Sequence, residues 1–141
     1  MKKDELIKAA LESKKMAYVP YSGFRVGAAL LTEDDKIYTG CNIESASYTP
    51  TNCAERTAIF KAVSEGDMDF KAIAITGDSE YTFPCGVCRQ VMREFSHDLK
   101  IYIVKNEKEY KEFTLKELLP YSFGPEDLIE DKTKDDKNEK I

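Results

Sequence analysis

The sequence predicts a single α/β domain built on a mixed sheet of about five strands covered by helices. Three observations carry this. The chain has 141 residues, the length of one ordinary domain with room for a real core. Its periodicity runs hairpin, helix, strand, helix, strand, strand, which is a single layered unit and not two separate cores. The segment Phe70 to Thr76 is almost continuously apolar, as expected of a strand covered on both faces.

The elements follow in order. Asp4 to Lys15 reads as a helix, with Leu6, Ala9, Ala10 and Leu11 to one side. Tyr18 to Gly23 is a turn, and Arg25 to Thr32 a buried strand. Glu33 to Asp35 forms a hairpin loop, from which Lys36 to Cys41 returns as a second strand. Asn42 to Asn52 is a long polar loop, and loops of that length in a small domain often carry function. Cys53 to Glu65 is a helix with Ala58, Ile59, Ala62 and Val63 as its apolar face, stopped by Gly66. After the strand Phe70 to Thr76 and a loop ending at Pro84, Gly86 to Phe95 forms the next helix. Lys100 to Val104 and Tyr110 to Thr114 are strands around an Asn106-Glu107 turn, and Leu115 to Leu119 is a short helix. The domain is expected to span residues 1–130. Residues 131–141 are almost wholly charged or polar and are expected to form a disordered tail.

Composition narrows the function. Hydrophobic residues make up 42% and charged residues 33%, with a net charge of −5, which describes a soluble globular chain. Binding to a polynucleotide through its phosphates needs a basic face, and the Lys and Arg here are interspersed with Asp and Glu. No nucleic-acid partner is expected. No run approaches the roughly 18 apolar residues of a membrane span, and Met1 to Ala10 lacks a signal-peptide core. A cytoplasmic address and no membrane partner are therefore the expectation, and the four cysteines read as metal ligands or free thiols.

Three of those cysteines have a suggestive arrangement. Cys53 opens one helix; Cys85 and Cys88, in Pro84-Cys-Gly-Val-Cys88, open the next. Thiolates suit zinc, and two ligands separated by two residues can share one ion. A helix N-terminus offers unpaired N–H groups and a positive dipole end, which lowers a thiol's pKa. Three ligands leave a coordination position for water, as a catalytic zinc requires, whereas a structural zinc is closed by four. Cys41 is the one further thiol; it ends a strand and reads as a buried core residue. His97 follows a helix in a polar stretch and reads as solvated. A bare Cys-x-x-Cys also suits a redox pair. What distinguishes this chain is Cys53-Ala-Glu55 upstream. A first-turn Glu lies near the helix axis, within reach of a water on a metal held there. Alone it would read as a partner of the helix dipole; beside three spaced cysteines it reads as catalytic. Cys-x-Glu followed by Pro-Cys-x-x-Cys is the signature of the zinc deaminases. Arg56, three residues after Cys53 and on the same helix face, is placed to hydrogen-bond the thiolates and offset their charge.

From Tyr18 to Leu128 the chain resembles the small, homotetrameric cytidine deaminases of nucleoside salvage. The resemblance rests on Pro20-Tyr-Ser-Gly-Phe24, Val26-Gly-Ala-Ala-Leu30, Gly40-Cys-Asn-Ile-Glu44, Cys53-Ala-Glu-Arg-Thr-Ala58, Pro84-Cys-Gly-Val-Cys-Arg-Gln90, Leu118-Leu-Pro120 and Phe123-Gly-Pro-Glu-Asp127, in that order. It implies a three-layer cytidine deaminase-like domain and a homotetramer with shared active sites. It implies one Zn2+ per chain on Cys53, Cys85 and Cys88, with Glu55 shuttling protons between the activated water and the base. It implies further that Asn42 and Glu44 bind the ribose at its 3′-hydroxyl and that Phe24 stacks on the pyrimidine. The backbone around Ala54 and Pro84 would contact the base, and Phe123 would reach into a neighbouring subunit's site. The reaction implied is hydrolysis of cytidine and deoxycytidine to uridine and deoxyuridine with release of ammonia. Glu44 would accept from a free hydroxyl and repel phosphate, which favours nucleosides. Ser45 stands where the family often has Asn, and Thr49 to Asn52 and the Ser79-Glu80 loop also differ. Two other readings fit the cysteines: a deaminase of a related nucleoside such as blasticidin S, and a structural zinc module, which would need a fourth ligand and would leave Glu55 idle.

Overall fold

The computed structural model describes residues 2–129; the expected tail lies outside the described residues. The elements are α1 (Lys2–Lys14), β1 (Val26–Thr32), β2 (Ile37–Cys41), α2 (Ala54–Ser64), β3 (Phe70–Gly77), α3 (Gly86–Phe95), β4 (Lys100–Val104), β5 (Tyr110–Thr114), the one-turn α4 (Leu115–Leu118) and a 3-10 turn at Pro125–Asp127. The five strands form one sheet in the order β2-β1-β3-β4-β5. β3 and β4 pair in parallel, joined by the crossover helix α3. The other pairs are antiparallel. The mixed five-stranded sheet expected from the sequence is thus present.

Alternation along the strands divides the interior in two. On one face Ala28, Leu30, Ile73, Ile75, Ile101 and Ile103 pack with Ala58 and Ile59 of α2 and Cys88 and Met92 of α3. On the other, Ala29, Leu31, Ala72, Ala74 and Val104 pack with Leu6, Ile7 and Ala10 of α1. The result is three layers, with α1 alone on one side of the sheet. Burying each large aliphatic chain of this core contributes about 1.5 to 3 kcal/mol.

Helix α2 sits unusually close to the sheet. Its inward residues Ala54, Ala58 and Ala62 are fully buried and carry only a methyl group. The facing residue on β2 is Gly40, where a Cβ would stand 2.4 Å from the carbonyl oxygen of Ala54 and 2.6 Å from the backbone nitrogen of Ala58. Backbone therefore packs on backbone, and this contact sets where α2 begins. The register of the sheet also places the start of α3 beyond the carboxyl end of β3, the usual location of ligand sites in α/β sheets. No helix among the described residues is long and apolar enough to cross a membrane.

Candidate active site

Cys53 and Cys85 are the N-cap residues of α2 and α3, both with extended backbone (φ −74° and −70°). Cys88 lies in the first turn of α3 and is buried. Two helix N-termini with their unpaired N–H groups thus converge. The Cys88 amide donates toward Cys85 Sγ at 3.5 Å. The Sγ atoms of Cys53, Cys85 and Cys88 all lie within 4.8 Å of one another, and Cys53 Sγ and Cys85 Sγ are 3.8 Å apart. A tetrahedron of zinc–sulfur bonds of about 2.3 Å has edges of about 3.8 Å, so the donor set fits zinc in both chemistry and spacing. Three thiolates this close repel one another, and a divalent cation between them removes that cost.

The surroundings favour anionic sulfur at one position first. The Cys53 thiol is lowered to about 5, chiefly by a hydrogen bond from Cys88 and then by Arg56. Cys88 is raised by that same bond and by burial. Arg56 Nη2 donates to Cys53 Sγ at 3.2 Å, as its spacing predicted. Its Nε is buried without a protein partner. A guanidinium held beside the sulfurs supplies positive charge where three thiolates would accumulate negative charge.

Glu55, in the first turn of α2, is 4% exposed. Burial raises its carboxyl to about 7, partly offset by its own backbone N–H, while the neighbouring Cys53 thiolate raises it further. A carboxyl poised near neutrality beside a metal-ligating cluster can both take and return a proton.

A second group of residues lies around the loop after Tyr18. Glu44 Oε1 accepts from the backbone N–H of Tyr21 (3.0 Å) and Ser22 (3.1 Å), while Oε2 accepts from the Ser22 hydroxyl. Asn42 bridges its neighbours: Oδ1 accepts from the Val26 N–H and Nδ2 donates to the Phe24 carbonyl, each at 2.9 Å. One amide hydrogen of Asn42 remains free. A cavity of about 430 Å3 opens here, lined by Tyr21, Ser22, Glu44, Ser45, Tyr48 and Thr51. Phe24 is partly exposed.

Thr57 ties the two groups together. Its hydroxyl lies 3.1 Å from the Cys41 carbonyl, 3.2 Å from the Cys53 carbonyl and 3.0 Å from Asn52 Nδ2. The end of β2, which leads into Asn42, is thereby fastened to the first turn of α2. Ala54 is fully buried at the start of that helix, and the Pro84 carbonyl accepts from Arg89 Nε at 2.8 Å. Phe123 stands apart, exposed, with its carbonyl accepting from Gln90 Nε2 of α3 at 2.8 Å.

The sequence reading missed Thr57, Ser22, Gly40 and Gln90 as supporting residues. Only Ser22 carried a local signal, a hydroxyl two residues before Phe24 in a turn. Cys41 takes no part in the thiol cluster, and among the described residues that cluster is the only group of three or more metal-ligating side chains. Among the described residues no fourth side chain joins it, which leaves a position of the kind a catalytic zinc keeps open. His97 is exposed, as expected.

Residues 1–105 match the family model described as the cytidine and deoxycytidylate deaminase zinc-binding region. A cytidine deaminase of Sporosarcina psychrophila is 50% identical over 127 residues, covering 89% of this chain and 93% of that protein. One from Halalkalibacterium halodurans is 51% identical over 130 residues, covering 91% and 98%. Among solved structures, the cytidine deaminase of Burkholderia pseudomallei superposes with a TM-score of 0.80 at 44% identity, covering 84% of this chain and 97% of that one. The Mycobacterium tuberculosis cytidine deaminase gives 0.77 at 36% identity, covering 88% and 98%. Matches of this extent, over a buried Glu beside three converging thiols, place the chain in the cytidine and deoxycytidylate deaminase family, with zinc as its metal.

Proposed function

We propose that the protein hydrolyses cytidine and deoxycytidine to uridine and deoxyuridine, with release of ammonia. The observation that carries this reading is the buried Glu55, held at the N-terminus of the same helix that Cys53 caps. Cys53, Cys85 and Cys88 would hold the zinc, which when bound would supply an acidified water as the source of the attacking oxygen. Glu55 accepts a proton there and delivers it to N3 of the pyrimidine, which makes C4 electrophilic. It then moves a second proton to the departing 4-amino nitrogen, so that water in and ammonia out leave the carboxyl unchanged. Arg56 holds Cys53 and offsets the charge of the sulfurs.

The sugar is bound by the second group. Glu44 accepts from the 3′-hydroxyl and Asn42 contributes its free amide hydrogen. Phe24 stacks on the pyrimidine, and the backbone at Ala54 and Pro84 borders the base. A carboxylate at Glu44 repels a phosphate, which favours free nucleosides.

The working unit in this reading is a homotetramer in which Phe123 reaches a neighbour's site. The exposed Phe123, within the Phe123-Gly-Pro-Glu-Asp127 motif held on α3, supports it. Three cysteines given to the metal and an unpaired Cys41 fit a reducing, cytoplasmic compartment.

The test is ultraviolet absorbance of cytidine mixed with purified protein, with zinc quantified in the same sample. Conversion with about one zinc per chain is expected of a three-thiolate catalytic site. Zinc-loaded protein that converts neither cytidine nor deoxycytidine would overturn the assignment.

A further inference from the structure

We propose that Ser22 is the residue that positions the sugar-binding carboxylate, and that it does so while also holding the backbone of Phe24. This rests on the reading of Glu44 as the acceptor for the 3′-hydroxyl.

The argument is a count of lone pairs. A carboxylate offers about four acceptor sites, two on each oxygen. Glu44 Oε1 takes two backbone N–H groups, from Tyr21 and Ser22, and is full. Oε2 takes the Ser22 hydroxyl, which leaves one acceptor site. That remaining site is on the very oxygen that Ser22 holds.

The two backbone bonds cannot fix its direction alone. They secure Oε1 as a pivot, and the terminal torsion of a Glu side chain is broad and intrinsically soft. A third bond at Oε2 stops rotation about that pivot. The serine hydroxyl has a single hydrogen, and it also lies 3.0 Å from the N–H of Phe24. That N–H is a donor, so the hydroxyl must accept there and give its hydrogen to Glu44. The Phe24 carbonyl is in turn held by Asn42 Nδ2. One hydroxyl therefore sets both the free acceptor for the sugar and the backbone that carries the stacking ring.

Ser22 touches no reacting atom and acts through Glu44. Its removal should weaken substrate binding and leave the chemical step alone. Losing a hydrogen bond to a charged group corresponds to roughly a tenfold effect or more on binding.

Steady-state kinetics on Ser22→Ala, Ser22→Thr, Glu44→Gln and the Ser22→Ala/Glu44→Gln pair test this, with cytidine and 3′-deoxycytidine as substrates. Thermal melting confirms that each variant is folded. For Ser22→Ala with cytidine, KM should rise about tenfold with kcat within about twofold of the parent. With 3′-deoxycytidine the KM penalty should be clearly smaller, at least about threefold below that for cytidine, because the group that Glu44 would receive is missing and only the loosening of the Phe24 backbone remains. Ser22→Thr keeps a hydroxyl and should restore KM. Ser22→Ala should cost less in the Glu44→Gln background than alone, since only its bond to the Phe24 N–H is then left to lose.

A Ser22→Ala penalty of equal size on both substrates, or one fully additive with Glu44→Gln, would overturn the proposal and leave Ser22 a turn residue only. If Glu44→Gln itself leaves KM for cytidine unchanged, the sugar reading of Glu44 fails instead, and the proposal falls with it.

Discussion

Gly124 rests directly on the guanidinium of Arg93: a Cβ at residue 124 would come within 2.4 Å of Arg93 Cζ and Nη1. Arg93 is 4% exposed and is not free to yield. Its Nε donates to Ser122 Oγ at 2.7 Å and its Nη2 pairs with the Glu126 carboxylate. The segment that carries Phe123 is thus hung on α3 through Arg93 and, at Gln90, through the Phe123 carbonyl. Gly124→Ala should displace the guanidinium and cost about 1 to 3 kcal/mol, as overpacking does. Urea unfolding of the variant measures it. An unchanged midpoint would show that the arginine moves aside freely.

Glu55→Gln keeps the size of the side chain and removes its proton exchange. Turnover should fall by roughly a hundredfold to ten-thousandfold, while bound zinc stays at the parent level. Metal analysis and the absorbance assay on one preparation separate these outcomes. Full activity would exclude Glu55 as the proton carrier.

Cys85→Ala removes one of three thiolates and should abolish tight zinc binding. Because the metal links the starts of two helices, its loss should also lower the melting temperature. Chelation of the parent protein should lower it in the same direction. A variant that retains stoichiometric zinc would contradict the ligand set.

Gly40→Ala inserts a methyl group between the backbones of β2 and α2. Neither side can rotate away, so the helix must shift. A loss of about 1 to 3 kcal/mol is expected, together with weaker zinc binding, since Cys53 caps that helix. Competition with a colorimetric chelator reads the second effect.

Asp78 predicts a pH dependence of stability. Its carboxyl is held below the usual range, first by the Arg25 backbone N–H and then by Lys14 and the Arg25 side chain. A group whose pKa is depressed on folding stabilises the protein above its unfolded value of about 3.9. That contribution is lost as pH falls through the lower, folded value. Asp78→Asn should therefore be less stable than the parent at neutral pH, with the difference shrinking below about pH 4. Thermal melts across that range check it; a constant difference would mean the carboxylate's charge is not involved.

The strands and the three long helices were legible within about two residues because apolar runs and their periods report burial directly. Helix α1 begins at Lys2 and not Asp4, since Asp4 and Glu5 are favourable within a first turn. The thiol cluster was legible because the cysteines open two successive helices at a recognisable spacing. What could not be read is contact made across long stretches of chain. Arg93 looks like an ordinary charged helix residue, and its burial follows from Ser122 and Glu126, 29 and 33 residues further on. Gly40 looks like a strand glycine, and its role appears only once α2 lies across it. Ser22 looks like a turn former, and its partner Glu44 is 22 residues away.

The close seating of α2 on the sheet divides the site into two tiers of local stability. Ala54, Ala58, Ile59 and Ala62 are wholly inaccessible, so exposing Glu55 to solvent means dismantling the middle of the molecule. Tyr21, Ser22 and Phe24 lie on an exposed loop that can open at far smaller cost. Amide hydrogens of α2 from Thr57 onward, where the helical bonds begin, should accordingly exchange only with global unfolding, while those of residues 21 to 24 exchange early. Mild denaturant should then erode the grip on the sugar well before the metal is released, leaving an enzyme that is chemically intact but no longer holds its substrate.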